Sequence, residues 1–169
     1  MSVKQKKIIL IGNFSVGKTS LIRRYVDNSF DDKYISTIGV KISKKNISIE
    51  DEEMMLLIWD IEGALDKVRR VNKTYIKGAH AAIIVTDITS EEIEETITIH
   101  LNDLYDVTGE IPVLIAFNKI DKNENFQMDI GSLQSKYPSL LGSYFTSAKN
   151  DLNVNTLFRH LSSELISCK

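Results

Sequence analysis

The sequence predicts an α/β fold in which a mostly parallel β-sheet is covered by helices on both faces. Short apolar runs alternate with longer amphipathic segments along the 169 residues, an order typical of strand–helix units. Two of these runs, 81–87 and 113–117, are apolar over most of their length, as central strands buried on both faces are. A chain of this length has the size of one domain, so we assign residues 1–169 to a single domain.

The first half of the chain contains three predicted strands and one predicted helix. Residues 7–11 read as a buried strand, and the amphipathic segment 18–26 that follows reads as a helix. Residues 42–49 and 54–59 flank an acidic turn at 50–53 and predict a β-hairpin. Because a hairpin is antiparallel, the sheet is expected to be mostly rather than wholly parallel.

The second half of the chain adds three strands and two helices. Strands are predicted at 81–87 and 113–117 with a helix between them, and a weaker strand at 143–146 precedes a final helix. Each helix carries one apolar stripe: Ile93, Ile97, Leu101 and Leu104 in the first, and Leu157, Leu161 and Leu165 in the last. The sequence therefore predicts six strands.

The composition excludes several classes of protein. Lysine and arginine total 21 and aspartate and glutamate total 23, so the net charge of −2 argues against a nucleic-acid binder. The single cysteine, Cys168, excludes an internal disulfide framework and fits a reducing compartment. The apolar runs are too short to span a bilayer, and the first residues lack the apolar stretch of a signal peptide. We therefore expect a cytoplasmic protein.

The loop after the first strand, residues 12–19, is a complete GxxxxGK[ST] motif between a strand and a helix. Gly12 and Gly17 allow the loop to curl so that its N–H groups converge on phosphate oxygens. Lys18 is expected to reach the outer phosphates, and the Thr19 hydroxyl is expected to bind Mg²⁺. The predicted phosphate-binding residues are Asn13, Phe14, Ser15, Val16, Gly17, Lys18, Thr19 and Ser20. The alternative is a glycine-containing turn followed by a chance Lys-Thr pair, which the flanking strand and helix disfavour.

A second motif, Asn118-Lys119-Ile120-Asp121, follows the 113–117 strand. The Asp121 carboxylate can accept paired hydrogen bonds from the N1–H and N2–H groups of guanine, whereas adenine offers no such pair. Asn118 is expected to brace the loop, and the stem of Lys119 is expected to lie over the base. The last strand leads into Ser147, Ala148 and Lys149, whose backbone is expected to contact the guanine oxygen.

The chain resembles the Ras-superfamily small GTPases, nearest to the Rab and Ras branches, over essentially its whole length. The matching segments are 12–19, 59–60, 63, 75–79, 87–89, 118–121 and 147–149. The resemblance implies the P-loop NTPase fold, GTP or GDP with Mg²⁺ as ligands, and the residue roles that follow. Phe30 packs edge-on against guanine, and Gly63 offers its N–H to the γ-phosphate. The implied catalytic residues are Lys18, Thr37 and Gly63, and the implied Mg²⁺ ligands are Thr19, Thr37 and Asp60.

Three residues, Phe14, Glu62 and Ala64, depart from the family pattern close to the γ-phosphate, and the family has alanine where Glu62 stands. Ala64 stands where the family has the glutamine that orients the attacking water, and a methyl group cannot hydrogen-bond water. Phe14 replaces a small residue and is expected to crowd the water and any arginine finger, whose loss costs about 10³–10⁵ in rate. We therefore expect slow hydrolysis that Ala64→Gln combined with Phe14→Gly accelerates. The alternative is that Glu62, or a partner's side chain, replaces the missing glutamine.

The sequence thus predicts a GTP/GDP switch with slow hydrolysis, the alternative being a non-hydrolysing, GTP-bound binding module. A P-loop kinase or ATPase is a third reading, which the NKxD motif disfavours. The resemblance implies effectors, an exchange factor and a GTPase-activating protein that bind at residues 31–42 (switch I) and 61–77 (switch II). We expect a monomer. In switch I, Lys41 and Ile42 stand where the Rab branch usually has an acidic residue and phenylalanine, so the branch stays open.

Other charged and titratable residues carry weaker signals. Switch II is basic, which we interpret as a solvated helix face with an acidic partner as the alternative, through Lys67, Arg69, Arg70, Lys73 and Lys77. The three histidines lack metal-ligand spacing and are expected to be structural or surface residues, at His80, His100 and His160. Cys168 matches neither a C-a-a-X nor a double-cysteine ending. An unlipidated protein and a lipidated tail beyond residue 169, which would add peripheral membrane attachment, are both open.

Overall fold

The computed structural model describes residues 4–33, 35–65 and 70–167 and contains six strands in that part of the chain. The strands are β1 (Lys4–Ile11), β2 (Val40–Ile49), β3 (Glu52–Ile61), β4 (Ala81–Asp87), β5 (Val113–Asn118) and β6 (Leu140–Thr146). They form one sheet in the order β2-β3-β1-β4-β5-β6. β2 and β3 pair antiparallel as the predicted hairpin, and the other neighbours are parallel. The predicted fold class is confirmed.

Helices cover both faces of the sheet. They are α1 (Lys18–Asp27), α2 (Lys73–Ile76), α3 (Ile93–Thr108), α4 (Gly131–Lys136) and α5 (Val154–Ser167), with a 3₁₀ turn at Ile120–Lys122. Two core clusters result, one under α3 and α4 and the other under α1 and α5. Every residue of β4 and β5 is buried, because these central strands have helices on both sides. The apolar stripes that predict α3 and α5 face these two clusters.

The structure differs from the sequence-based expectation mainly in its short elements. The six-residue α4 buries one large apolar side chain, Leu133, and so has no periodic signal in the sequence. The basic switch II segment is not one helix in the described residues, because α2 spans only Lys73–Ile76 and leaves Arg70 and Lys77 outside it. Lys67, Arg69 and Cys168 lie outside the described residues.

None of the helices in the described ranges combines the length and the apolar character needed to cross a bilayer.

Candidate functional site

The loops that follow the parallel strands surround one cavity of about 350 Å³. The predicted site residues that line it are Phe14, Ser15, Gly17, Lys18, Thr19, Ser20, Phe30, Thr37, Gly63, Asn118, Lys119, Asp121, Ala148 and Lys149. Parallel strands end at the same edge of a sheet, so motifs more than 100 positions apart in the sequence meet here. The cavity also has lining residues to which the sequence analysis assigned no nucleotide contact: Arg23, Asp31, Asp32, Lys33, Ile35 and Lys122.

The phosphate-binding loop joins β1 to α1. Gly17 is the N-cap of α1 with φ of 101°, and a Cβ there would lie 2.3 Å from Nδ2 of Asn118, so only glycine fits. The ammonium group of Lys18 is buried and donates to the carbonyls of Gly12 and Asn13 over 3.1 and 3.0 Å. Burial lowers the pKa of Lys18 to about 8, although nearby Asp60 acts in the opposite direction. An anion in the cavity would favour the charged lysine.

Thr19, Thr37 and Asp60 form a cluster of oxygen atoms beside the loop. Oγ1 of Thr19 lies 2.8 Å from Oγ1 of Thr37 and 2.5 Å from Oδ2 of Asp60, and the third separation is 3.1 Å. Adjacent ligands of an octahedral Mg²⁺ ion are about 2.9 Å apart when the metal bonds are 2.0–2.1 Å long. Oδ1 of Asp60 is buried and has no hydrogen-bond partner in the described part of the chain. These oxygens and their spacing fit Mg²⁺.

At the opposite end of the cavity, two side chains of the NKxD motif are held by hydrogen bonds. Oδ1 of Asp121 accepts the hydroxyl of Ser147 over 2.6 Å, which orients the carboxylate. Asn118 is buried, and its Nδ2 donates to the carbonyl of Val16 over 3.0 Å. Its Oδ1 accepts the Thr146 hydroxyl over 3.2 Å. Asn118 therefore joins the base end of the cavity to the phosphate-binding loop, as a brace would.

Lys119 connects three parts of the site. Its ammonium group donates to the carbonyl of Ser15 over 2.7 Å and pairs with Oδ2 of Asp87 over 2.7 Å. Although burial raises the pKa of Asp87, hydrogen bonds from Lys119 and Thr89 lower it below its ordinary value. The sequence assigned no role to Asp87 beyond its place in the matching segment 87–89, yet its carboxylate pairs with the ammonium group of Lys119 that bonds to the phosphate-binding loop.

Arg24 is a second residue that sequence reasoning missed. Its guanidinium donates to the carbonyls of Ala148 and Lys149 over 2.8 and 3.1 Å, and to that of Asn28 over 3.3 Å. The N–H groups of Ala148 and Lys149 have no acceptor in the described part of the chain. By donating to these two carbonyls, Arg24 holds this loop at the base end of the cavity. A lone arginine within a helix carries no sequence signal for such a contact.

Four predicted residues, Asn13, Val16, Asp60 and Ser147, do not line the cavity. Oδ1 of Asn13 lies 3.1 Å from Nε2 of His100 on α3, a contact that requires the Nε2–H tautomer. Burial lowers the pKa of His100 to about 4, so its ring is neutral at pH 7. His100 thus has a structural role, in keeping with expectation, and Asn13 offers its carbonyl to Lys18. Val16 is packed in the core.

Residues 62–64, hereafter the strap, pass between switch I and the phosphate-binding loop. The Phe14 N–H donates to the Ala64 carbonyl over 2.8 Å, and the Ala64 N–H donates to the Gly12 carbonyl over 3.2 Å. A Cβ on Gly63 would lie 2.7 Å from Cα of Phe14, so the close approach requires glycine. On the other side, Glu62 binds the backbone of Gly39.

Ala64 faces the core rather than the cavity. Its side chain is 4% exposed and packs in the cluster that contains Ile11, Val71 and Ile76. Phe14, in contrast, is 43% exposed and lines the cavity beside Gly63. The sequence identified the missing glutamine at position 64, but it carried no signal that this position is buried.

Acidic residues of α3 pair with part of the basic surface of switch II. Arg70 lies 2.9 Å from Oδ1 of the buried Asp103, and Lys73 lies 3.5 Å from Asp106. The Lys73 pair is exposed and adds little stability, whereas the Arg70 pair involves a buried carboxylate. Arg70 and Lys73 therefore pair with carboxylates of the same chain. These pairs agree with the interpretation of this surface as a solvated face.

Sequence comparison with known proteins identifies the family to which the chain belongs. A sequence model of the Ras family matches residues 7–167. The chain is 35% identical over 166 residues to the GTP-binding protein YPTM1 of Zea mays, a match that covers 96% of this chain and 79% of that protein. It is also 35% identical over 173 residues to the Ras-related protein Rab-22A of Homo sapiens, covering 99% and 87% of the two chains. The chain therefore belongs to the Ras family of small GTPases and is Rab-like.

Proposed function

We propose that this protein is a GTP/GDP-binding switch that hydrolyses GTP slowly. The observation that carries the proposal is a cavity with the phosphate-binding loop at one end and the Asp121 carboxylate at the other. Ser147 orients that carboxylate for paired donors, a pattern that guanine presents and adenine does not. Phe30 lines the cavity between switch I and α1, which supports its proposed contact with the base.

The proposed reaction is in-line attack of water on the γ-phosphate. Lys18, held at the loop by two carbonyls, would stabilise charge on the outer phosphates together with the loop N–H groups. Thr19, Thr37 and Asp60 would hold Mg²⁺, which neutralises phosphate charge when bound. Gly63 would direct its N–H to the γ-phosphate, and the strap holds it beside the loop.

Slow hydrolysis is proposed because no side chain of the strap is aimed at the attacking water. Ala64 has no hydrogen-bonding group and is buried, and Glu62 is engaged with Gly39 instead of lining the cavity. The contact of Glu62 argues against its acting as a substitute for glutamine in this conformation. The half-exposed ring of Phe14 occupies space next to Gly63, where water and an arginine finger would enter.

Single-turnover GTP hydrolysis tests the proposal. The wild-type rate should be at least about tenfold below that of a glutamine-bearing family member measured side by side. Phe14→Ala should hydrolyse GTP faster than the wild type. Ile42→Ala, which truncates a similarly exposed side chain away from the cavity, should hydrolyse GTP at the wild-type rate. A wild-type rate equal to that of the relative would contradict slow hydrolysis. Failure of GDP to compete better than ADP would contradict guanine binding.

The second candidate is a binding module that stays in the GTP form and is regulated by exchange or by a partner. The burial of Ala64 favours it, because nothing in the strap then assists hydrolysis. The nucleotide that copurifies with the protein separates the candidates. Mostly GTP indicates the binding module, and mostly GDP indicates a switch that completes its cycle.

We propose that effectors, an exchange factor and a GTPase-activating protein bind at residues 31–42 and 61–77. Exposed apolar side chains in these segments support the proposal, with Ile38 85% and Leu65 53% exposed. We further propose a cytoplasmic monomer that does not bind nucleic acid. Peripheral membrane attachment would require a lipidated tail, and size-exclusion chromatography with vesicle flotation of the full-length protein tests both properties.

A further inference from the structure

Glu62 is the one side chain of the strap that reaches toward switch I. Its Oε2 accepts the N–H of Gly39 over 3.0 Å, and its own N–H donates to the Gly39 carbonyl over 2.8 Å. The two residues therefore bind each other reciprocally, once through the backbone and once through the carboxylate. This pair, hereafter the Glu62–Gly39 clamp, joins the start of switch II to switch I.

The clamp extends the β2–β3 ladder beyond its last regular pair. Val40 lies opposite Ile61 in that ladder, and Glu62 and Gly39 are the next residues outward on the two strands. The Glu62 N–H adds a backbone bond, and the Glu62 carboxylate supplies the acceptor for the Gly39 N–H. The alanine that the Ras-superfamily pattern has at this position would supply no such acceptor.

The clamp lies beside the two residues proposed to meet the γ-phosphate. Gly39 is close in sequence to Thr37, whose hydroxyl contacts Thr19 and Asp60. Glu62 directly precedes Gly63, and on its other side Ala64 is bonded to the phosphate-binding loop. The hydrogen bonds of its two neighbours, Glu62 and Ala64, therefore restrain Gly63. Thr37 is restrained through Gly39, two residues further along the chain.

We propose that Glu62 is a positioning residue that holds Thr37 and Gly63 in place whether or not a γ-phosphate is present. This inference rests on the proposed function, because it takes Thr37 and Gly63 as the γ-phosphate contacts. Ordering two loops on binding costs conformational entropy, and a clamp that has already ordered them lowers that cost. The protein should therefore bind GTP more tightly than it would without the clamp, and its GDP form should keep a similar switch surface.

Three variants separate the clamp from general effects of charge or folding. Glu62→Ala removes the acceptor, and Glu62→Gln keeps an oxygen that can accept the Gly39 N–H. Glu53→Ala removes the same charge from an exposed position near the far end of β3. For each variant and the wild type, the dissociation constants of GDP and of the non-hydrolysable analogue GppNHp are measured with Mg²⁺ by a fluorescent-nucleotide assay.

Loss of the clamp should weaken GppNHp binding about three- to tenfold, the range expected for one hydrogen bond, while GDP binding changes less than twofold. Glu62→Gln and Glu53→Ala should stay within twofold of wild type for both nucleotides. Equal weakening of both nucleotides in Glu62→Ala, no weakening at all, or failure of Glu62→Gln to rescue would overturn the inference. If the wild type binds neither nucleotide, the proposed function fails and this inference with it.

Tryptophan fluorescence provides a second readout that does not depend on affinity. Trp59 is the single tryptophan of the chain, lies on β3 opposite Ile42, and has the Lys7 ammonium 3.6 Å from its ring centre. Exchange of GDP for GppNHp should change its emission less in the wild type than in Glu62→Ala, because the clamp keeps both forms alike. A larger change in the wild type would contradict the proposal.

Discussion

Replacement of Ala64 by glutamine tests how the strap is held. From the sequence, Ala64→Gln combined with Phe14→Gly is expected to accelerate hydrolysis, the glutamine orienting the attacking water. The structure leads to a different expectation, because the Ala64 side chain is 4% exposed and its backbone is bonded to Gly12 and Phe14. A glutamine must either enter the core or pull the strap away from the phosphate-binding loop.

The two routes differ in their cost to folding. Burying an unpaired amide costs about 1–3 kcal/mol, and inserting the extra volume into a packed core costs about 1–3 kcal/mol more. Releasing the strap breaks two backbone hydrogen bonds at about 0.5–1.5 kcal/mol each and exposes a methyl group worth about 0.8 kcal/mol. Release is the cheaper route at about 2–4 kcal/mol, and it frees Gly63 from its place beside the loop.

Ala64→Gln should therefore lose about 2–4 kcal/mol in free energy of unfolding, which corresponds to roughly 4–16 °C in Tm for a domain of this size. Its single-turnover GTP hydrolysis should stay within about threefold of wild type, and Phe14→Ala/Ala64→Gln should be no faster than Phe14→Ala alone. The control is Leu65→Gln, which places the same side chain at a 53% exposed position and should leave Tm unchanged. An Ala64→Gln variant with the wild-type Tm and a rate at least ten times higher would refute this reasoning.

Three further predictions concern other contacts of the site. Asp121→Asn should weaken GDP binding about 10–100-fold and improve binding of xanthosine diphosphate, whose C2 oxygen accepts from the new amide. Competition binding measures the affinities for the two nucleotides. An unchanged preference for guanine would exclude Asp121 as the residue that recognises the base. Arg24→Gln should speed GDP dissociation about tenfold, because the carbonyls of Ala148 and Lys149 lose a charged donor. Stopped-flow displacement measures the rate, and the control is Arg159→Gln, which removes an exposed arginine on α5 away from the cavity. Burial lowers the pKa of His100 from 6.5 to about 4, so protonation favours the unfolded state and stability falls as pH drops from 6.5 to 4, by about 3 kcal/mol. Urea unfolding at pH 7 and pH 4 should show a smaller loss in His100→Phe than in wild type, and equal losses would contradict the assignment.

Local signals in the sequence were sufficient for the strands and for most of the cavity. The spacing of apolar residues predicts the hairpin, the buried central strands and the two long helices. It does so because the buried face of a strand or helix recurs at a fixed interval along the chain. α4 was missed because six residues with one buried leucine show no period. The extent of the switch II helix was also misjudged, because a basic amphipathic segment does not by itself indicate where a helix begins.

The sequence by itself determined the fold class and the two ends of the cavity. The phosphate-binding loop and the NKxD motif each consist of consecutive residues, so their chemistry can be recognised from the sequence, as it is for Lys18 and Thr19. Only the tertiary structure decided that Ala64 faces the core, that Arg24 holds a loop 124 positions away, and that Glu62 binds Gly39 across 23 positions. The physical reason is that such contacts depend on which strands lie side by side, and the spacing of residues along the chain does not specify that order.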